Sequence, residues 1–384
     1  MQWALLGALA WAGCARSAPQ AAAQTVSTQT AQTVSTQAAS TQTSSAQTAS
    51  AQAGGTSAAE KLNPRLLRRF KSLRGVLAAG PEPTDEQVQL GRMLYADKRL
   101  SRDRDVSCAS CHVLTKYGVD NAQTSVGEKG AHGTRNSPTV YNAAGHFVQF
   151  WDGRASTVEE QAGGPIVNPL EMAMPSGDAA VAVLKTIPGY VAAFEKAFPQ
   201  ESDPMTFKTV GRAIGAFERK LVTPARWDRF LDGDKTALTD REVEGLRVFS
   251  DVGCLVCHTG EFLGGSMFQK VGSAVAWPNQ KDQGRFTLTK NPADKMVFKV
   301  PGLRNVAMTA PYFHDGSAKT LSEAVTLMGK HQLNLDLTDD EVSAVVAWLG
   351  SLTGELPKEF LTAPVLPPDG PTTMNVAPEG HRAN

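Results

Sequence analysis

The 384-residue chain carries no excess charge, since 38 lysines and arginines balance 38 aspartates and glutamates. A nucleic-acid partner or a highly charged substrate would call for a surplus of one sign, so neither is implied. Long apolar runs are missing too. The most apolar stretch near the start, residues 4–13 (ALLGALAWAG), falls well short of the roughly 20 residues that a bilayer-spanning helix needs. It has the length of an export-signal core, although no basic residue precedes it. Sustained alternation of apolar and polar residues, the mark of a large sheet, is also absent. Cysteine is scarce, with five in all, and that scarcity makes the placement of each one informative.

Four of the five fall in two copies of one pattern, Cys108-Ala-Ser-Cys111-His112 and Cys254-Leu-Val-Cys257-His258. This is the attachment signature of c-type haem: two thiols three positions apart reach the two vinyl groups of a porphyrin, and the histidine that follows lies under the iron. A thioredoxin-like pair or a four-cysteine zinc site would not require both histidines. The pattern therefore predicts two covalent haem c groups, held by Cys108, Cys111 and His112 and by Cys254, Cys257 and His258. Covalent attachment of this kind takes place outside the cytoplasmic membrane, which predicts a periplasmic protein. The fifth cysteine, Cys14, follows Ala12-Gly13 and resembles the lipid-modified cysteine of a bacterial lipoprotein, with Trp11 where leucine is usual. Tethering to a membrane through Cys14 and cleavage farther on, within Ala21-Ala22-Ala23, both stand as readings.

Residues 1–17 read as the signal and 18–58 as a low-complexity linker of Ala, Gln, Ser, Thr, Val and Gly in which AQTVSTQ occurs at 23–29 and again at 31–37. So few large apolar residues cannot offset the entropy of ordering, so the linker is expected to be a disordered tether. A duplication organises the remainder of the chain. Thr84-Asp85-Glu86-Gln87-Val88 precedes the first haem motif and Thr239-Asp240-Arg241-Glu242-Val243 the second, each threonine an N-cap with Gln87 or Glu242 completing a capping box. Thr338-Asp339-Asp340-Glu341-Val342 opens a third such helix, placed where a C-terminal helix of a cytochrome-c-like domain would cross the first. Phe207, Val210, Ile214, Phe217 and Leu221 recur at helical spacing and predict a core stripe. Glycine and proline punctuate 260–315, which predicts long loops around a cofactor. The fold class is mainly α. Two cytochrome-c-like haem domains are expected, one over 59–222 and one over 223–355, with a loose or surface-wrapped tail at 356–384.

Between about residues 80 and 355 the chain resembles the bacterial dihaem cytochrome c peroxidase family. The blocks that carry the resemblance are Asn136-Ser137-Pro138-Thr139-Val140, Phe150-Trp151-Asp152-Gly153-Arg154-Ala155, Glu160-Gln161-Ala162 and Asn168-Pro169-Leu170-Glu171-Met172. Leu303-Arg304-Asn305-Val306, Thr309-Ala310-Pro311-Tyr312-Phe313-His314-Asp315-Gly316 and Leu327-Met328-Gly329-Lys330 continue it in the family's order.

The resemblance implies an enzyme that reduces hydrogen peroxide with electrons from a small cytochrome c or cupredoxin. It implies Met328 as the sixth ligand of the second haem, with Met267 as fallback, and Glu171 as a distal carboxylate that moves a proton between the peroxide oxygens. Gln161 would be the neighbouring amide and Trp151 the indole between the haems. A calcium ion between the domains would take Asn136 through its side chain and the backbone carbonyls of Thr309 and Pro311. One departure stands out: Thr124-Ser125-Val126-Gly127 is followed by Glu128 where many members carry, shortly after, a histidine that ligates the resting first iron, and the nearest histidine is His132. Two rivals are a non-enzymatic dihaem electron carrier and a related enzyme that oxidises a partner protein through a tyrosine at the position of Met328. A homodimer is left open.

Overall fold

The computed structural model describes residues 58–60, 62–74 and 82–373. The expected signal, Cys14, nearly all of the linker and the end of the tail lie outside the described residues. The architecture is mainly helical with little sheet. Its helices of eight residues or more are α1 (Asp85–Ala96), α2 (Val158–Val167), α3 (Gly177–Lys185), α4 (Pro188–Ala197), α5 (Phe207–Glu218), α6 (Asp240–Asp251), α7 (Leu321–Met328) and α8 (Asp339–Gly350). One short antiparallel ribbon pairs β1 (Phe268–Lys270) with β2 (Val297–Lys299), with Phe268 opposite Lys299. No helix among the described residues is long and apolar enough to cross a membrane.

The three threonine-led helices start as their sequences dictate. Thr84 Oγ1 accepts from the Gln87 amide at 3.3 Å while Gln87 Oε1 accepts from the Thr84 amide at 3.1 Å. Thr239 with Glu242 and Thr338 with Glu341 repeat the reciprocal bonds at 3.3 and 2.8 Å in each case. Each helix then buries one stripe: Val88, Leu90 and Leu94 on α1, Val243, Leu246 and Phe249 on α6, Val342, Val345 and Leu349 on α8.

The stripe over 207–221 proves to be the crossing partner of α1, as α8 is of α6. Both crossings use one device. A Cβ on Gly91 of α1 would stand 1.8 Å from the Ala213 carbonyl oxygen of α5, and a Cβ on Gly245 of α6 would stand 1.8 Å from that of Ala344 on α8. Only glycine permits backbones to approach so closely. Two hydrophobic cores result, one gathering residues between Val88 and Leu221, the other centred on Trp227, Phe230, Phe249 and Trp348. Ala59, Leu62 and Phe70 belong to the second core although they precede the first haem motif in the chain. Phe70 packs edge-on to Trp227 with ring centroids 5.1 Å apart, and the Leu73 amide donates to Asp228 at 2.6 Å. The described part of the tail, in turn, lies back on the first core: Leu356 and Phe360 pack against it, and Thr373 is fully buried beside Thr186.

The repeat extends into the loops. Gln149 bridges Ala155 across Phe150-Trp151-Asp152-Gly153-Arg154, and Tyr312 bridges Ala318 across Phe313-His314-Asp315-Gly316-Ser317, with Phe150 and Phe313 both in the left-handed region. The two copies meet on buried Thr223. Its hydroxyl oxygen accepts from the side-chain amides of Asn142, at 2.8 Å, and Asn305, at 2.9 Å, and each asparagine also adopts a left-handed backbone.

Candidate active site

Each haem motif folds into a single tight turn, α-helical over Cys108–Cys111 and 3₁₀ over Cys254–Val256. The following histidine amide closes it, His112 on the Cys108 carbonyl at 2.9 Å and His258 on the Cys254 carbonyl at 3.1 Å. Both imidazoles are then oriented alike. His112 Nδ1 lies 3.2 Å from the Gly118 carbonyl and His258 Nδ1 lies 2.9 Å from that of Leu263. A carbonyl can only accept, so Nδ1 carries the proton and Nε2 is left as the free lone pair. Burial lowers both imidazole pKa values, which keeps them neutral and competent as ligands. All four cysteines are free thiols rather than disulfides, and burial raises Cys108 and Cys254 to about 12. Unpaired thiols beside a histidine with its Nε2 presented are what covalent haem needs, so the residues fit the group.

A cavity of about 870 Å³ opens over the first motif, lined by Cys108, Cys111 and His112 together with Gln161, Glu171 and Trp151. Residues scattered over more than sixty positions thus converge on one space. Gln161 projects from α2, which is capped by Thr157. Glu171 follows that helix in a turn held by its own amide on the Asn168 carbonyl at 3.0 Å, and its Oε1 accepts from the Asn168 side chain at 2.8 Å. Burial pushes the Glu171 carboxyl above its ordinary range, against the opposing pulls of Arg154 and the Asn168 amide. A half-buried carboxyl held at one oxygen and free at the other can take up and return a proton in the cavity.

Trp151 is fixed at both ends. Its indole Nε1 donates to the Asn136 carbonyl at 2.9 Å, and its own carbonyl accepts from the Lys299 amide at 2.8 Å. While lining the first cavity, it also packs into an aromatic cluster with Trp277, Phe298 and Phe313 that includes Met328, the last residue of α7. Met328 therefore shares a cluster with Trp151, whereas Cys254 packs against the second core. Met267 lies beside β1, with its carbonyl accepting from Val300.

Asn136 donates through Nδ2 to the Ala122 carbonyl at 3.0 Å, and its amide donates to His314 O at 2.8 Å, bringing it to the loop that holds Thr309 and Pro311. Among the described residues no cluster of three or more His, Cys, Asp or Glu side chains could hold a metal. His132 is exposed. It pairs with Val126 across a hairpin, and its nearest polar partner is the Thr124 hydroxyl at 3.5 Å. That hairpin is also a wall of the cavity, through Ser125, Gly127 and Gly133. A Cβ on Gly127 would come within 2.1 Å of the Leu170 carbonyl oxygen, and the Glu128 amide donates to Glu171 O at 2.7 Å. Glu128 itself is buried toward Asp103 and is not among the residues that line the cavity.

Sequence reading missed two charged groups on the same cavity. Glu218, on α5, is buried there and pushed up to about 8 by its desolvation and by Glu159. Lys299, at the end of β2, is 7% exposed. Neither sits in a motif that advertises chemistry.

The family model for di-haem cytochrome c peroxidase matches residues 85–236. The chain is 45% identical over 308 residues to the cytochrome c551 peroxidase of Nitrosomonas europaea, covering 80% of this chain and 90% of that one. It is 44% identical to the cytochrome c551 peroxidase of Pseudomonas aeruginosa, covering 78% and 87%. Among solved structures, a MauG-like protein associated with microbial copper homeostasis superposes with a TM-score of 0.65 at 30% identity, covering 73% of this chain and 94% of that one. With two haem motifs, a carboxylate-bearing cavity over the first, and relatives of this identity over nearly their whole length, the chain belongs to the di-haem cytochrome c peroxidase family.

Proposed function

We propose that this protein reduces hydrogen peroxide to two waters, consuming two protons and two electrons that a small cytochrome c or cupredoxin delivers one at a time. One observation carries the reading: the cavity over Cys108, Cys111 and His112 also holds Glu171 and Gln161, and its wall residue Trp151 reaches the cluster of Met328. Haem, when bound, supplies the redox chemistry.

The chain's own residues do the rest. His112 and His258 present Nε2 as ligands because their Nδ1 protons are committed to carbonyls. Glu171 accepts the proton of one peroxide oxygen and returns it to the other, so that the leaving oxygen departs as water. Gln161 offers an amide to hold the peroxide in place. Trp151 places an indole between the two sites, and Met328 supplies a thioether that raises the potential of the His258 site. A peroxidatic domain built on the first core and an electron-accepting one on the second divide these tasks, the second including Ala59, Leu62 and Phe70 by their packing. Calcium would bind Asn136 Oδ1 and the carbonyls of Thr309 and Pro311, tying the two domains beside Trp151. Covalent haem also supports export to the periplasm.

Glu171 in the cavity disfavours a pure electron carrier, which needs no distal acid. Met328 disfavours an enzyme that oxidises partner proteins through a tyrosine at that position. A steady-state assay separates the enzyme from the carrier: peroxide should drive oxidation of two reduced cytochromes c per molecule consumed, and a carrier would show no peroxide-dependent oxidation.

A further inference from the structure

Lys299 is a buried cation without an anion. Its backbone is fixed in β2, where the amide donates to Trp151 O at 2.8 Å, and its side chain takes part in no ion pair among the described residues. The polar contact of its Nζ is with His146 Nδ1, at 3.3 Å. Two acids of the same cavity are already engaged with arginines: Asp152 with Arg135 at 2.7 Å and Arg154 at 3.1 Å, Asp282 with Arg135 at 2.6 Å. Burial alone, with no acid countering it, moves the Lys299 ammonium down to about 8. An unpaired buried charge is strongly destabilising, so a fold that keeps one is built for an anion that arrives from elsewhere.

His146 makes the arrangement rigid. A Cβ on Gly265 would stand 2.3 Å from its Cδ2 and one on Gly302 would stand 2.8 Å from its Nε2, so those glycines leave room for the ring and little for another placement. Phe262 packs edge-on to it at 5.5 Å. An ammonium can only donate, so Nδ1 accepts and the imidazole is neutral. The pair thus presents a single positive charge, contributed from both halves of the chain, to the cavity that holds His112.

We propose that Lys299, held by His146, anchors a propionate carboxylate of the haem attached through Cys108 and Cys111. The assignment rests on the haem reading and deepens it. Peroxide is neutral and cannot satisfy the charge, whereas a haem held by Cys108 and Cys111 in the same cavity would carry two carboxylates. A fixed cation beside a propionate also favours the ferrous state, because it offsets the negative charge gained on reduction.

The test uses the full-length holoprotein as wild type, Lys299→Met and Lys299→Arg. Pyridine haemochrome analysis comes first: two haems per wild-type chain are expected, and fewer would overturn both the haem reading and this one. Resonance Raman of the propionate bending modes and spectroelectrochemical titration come next. Lys299→Met should shift a propionate band and lower the potential of one haem while the other keeps its own; Lys299→Arg should stay near wild type. Should Lys299→Met not mature, Lys299→Gln, neutral but still polar, is read in the same way. A fully loaded neutral variant with unchanged band and unchanged potentials would overturn the assignment. So would an acetate-saturable spectral shift in wild type that the neutral variant lacks while its propionate band is unaltered, because the charge would then serve a free carboxylate.

Discussion

At the scale of single residues, what matters is which way each side chain faces, and two cases carry predictions. His132 is exposed on its hairpin, and Glu128 turns away from the cavity toward Asp103. With neither among the residues that line the cavity over His112, electron paramagnetic resonance of the fully oxidised protein should show one high-spin and one low-spin ferric haem. His132→Ala should leave that spectrum and the activity almost unchanged; a wholly low-spin wild type that gains a high-spin haem in the variant would place a displaceable ligand on this loop. Glu218 yields a pH signature. Its pKa is raised from 4.5 to about 8, so the folded state holds its proton more tightly than the unfolded chain does. The resulting stability is complete below about 4.5 and is lost as pH rises through about 8. Glu218→Gln cannot lose a proton, so denaturant melts should show the variant gaining on wild type across that window, by on the order of a few kcal/mol at its top. Parallel melts at every pH would mean the carboxyl is solvated. None of this orientation was legible in the chain: Glu218 sits in a plain helical stripe, and only the fold reveals that its side of α5 faces the cavity.

Elements were far more legible than side-chain directions. The three capping boxes could be read directly because they are local, each spanning four residues with reciprocal bonds. The partner of α1 could not, since a stripe such as Val210, Ile214 and Phe217 announces burial without saying against what. The close contacts of Gly91 and Gly245 are likewise visible only once the helices cross. Met328 belongs to this scale because α7 delivers it into the aromatic cluster at its last turn. Met328→Leu keeps volume and removes sulfur, so one haem should fall in potential and lose its low-spin methionine character. Met267→Leu should change neither, and the reverse pattern in a redox titration would move the ligand to the other methionine.

Across the whole molecule, sequence motifs named the two haem turns, but the seam between the halves emerged only in three dimensions. Asn142 and Asn305 look like ordinary loop residues, yet their amides converge on the one hydroxyl of Thr223. Thr223→Val is nearly isosteric and strands two buried donors, each worth about 1–3 kcal/mol. A loss of about 2 kcal/mol or more in a urea melt is expected, and a change within error would show that the seam relaxes around the missing oxygen. The stretch from Leu62 to Leu73 and the tail at 356–373 cross the boundaries that chain order suggests, because each packs on the other half: Leu62 and Phe70 on the second core, Leu356 and Phe360 on the first.

All of these scales meet in the claim that the cavity over His112 is where peroxide is reduced with Glu171 handling the proton, and the turnover of Glu171→Gln tests that most directly. The acid must be ionised to accept the first proton, so wild-type turnover should fall as pH drops through a pKa lying above the ordinary carboxylate range. With both haems still attached, the variant should lose roughly 10²–10⁴-fold in turnover, the span typical of acid–base groups, together with that acid limb. Near-wild-type turnover with the same pH profile, measured on fully loaded protein, would contradict the account.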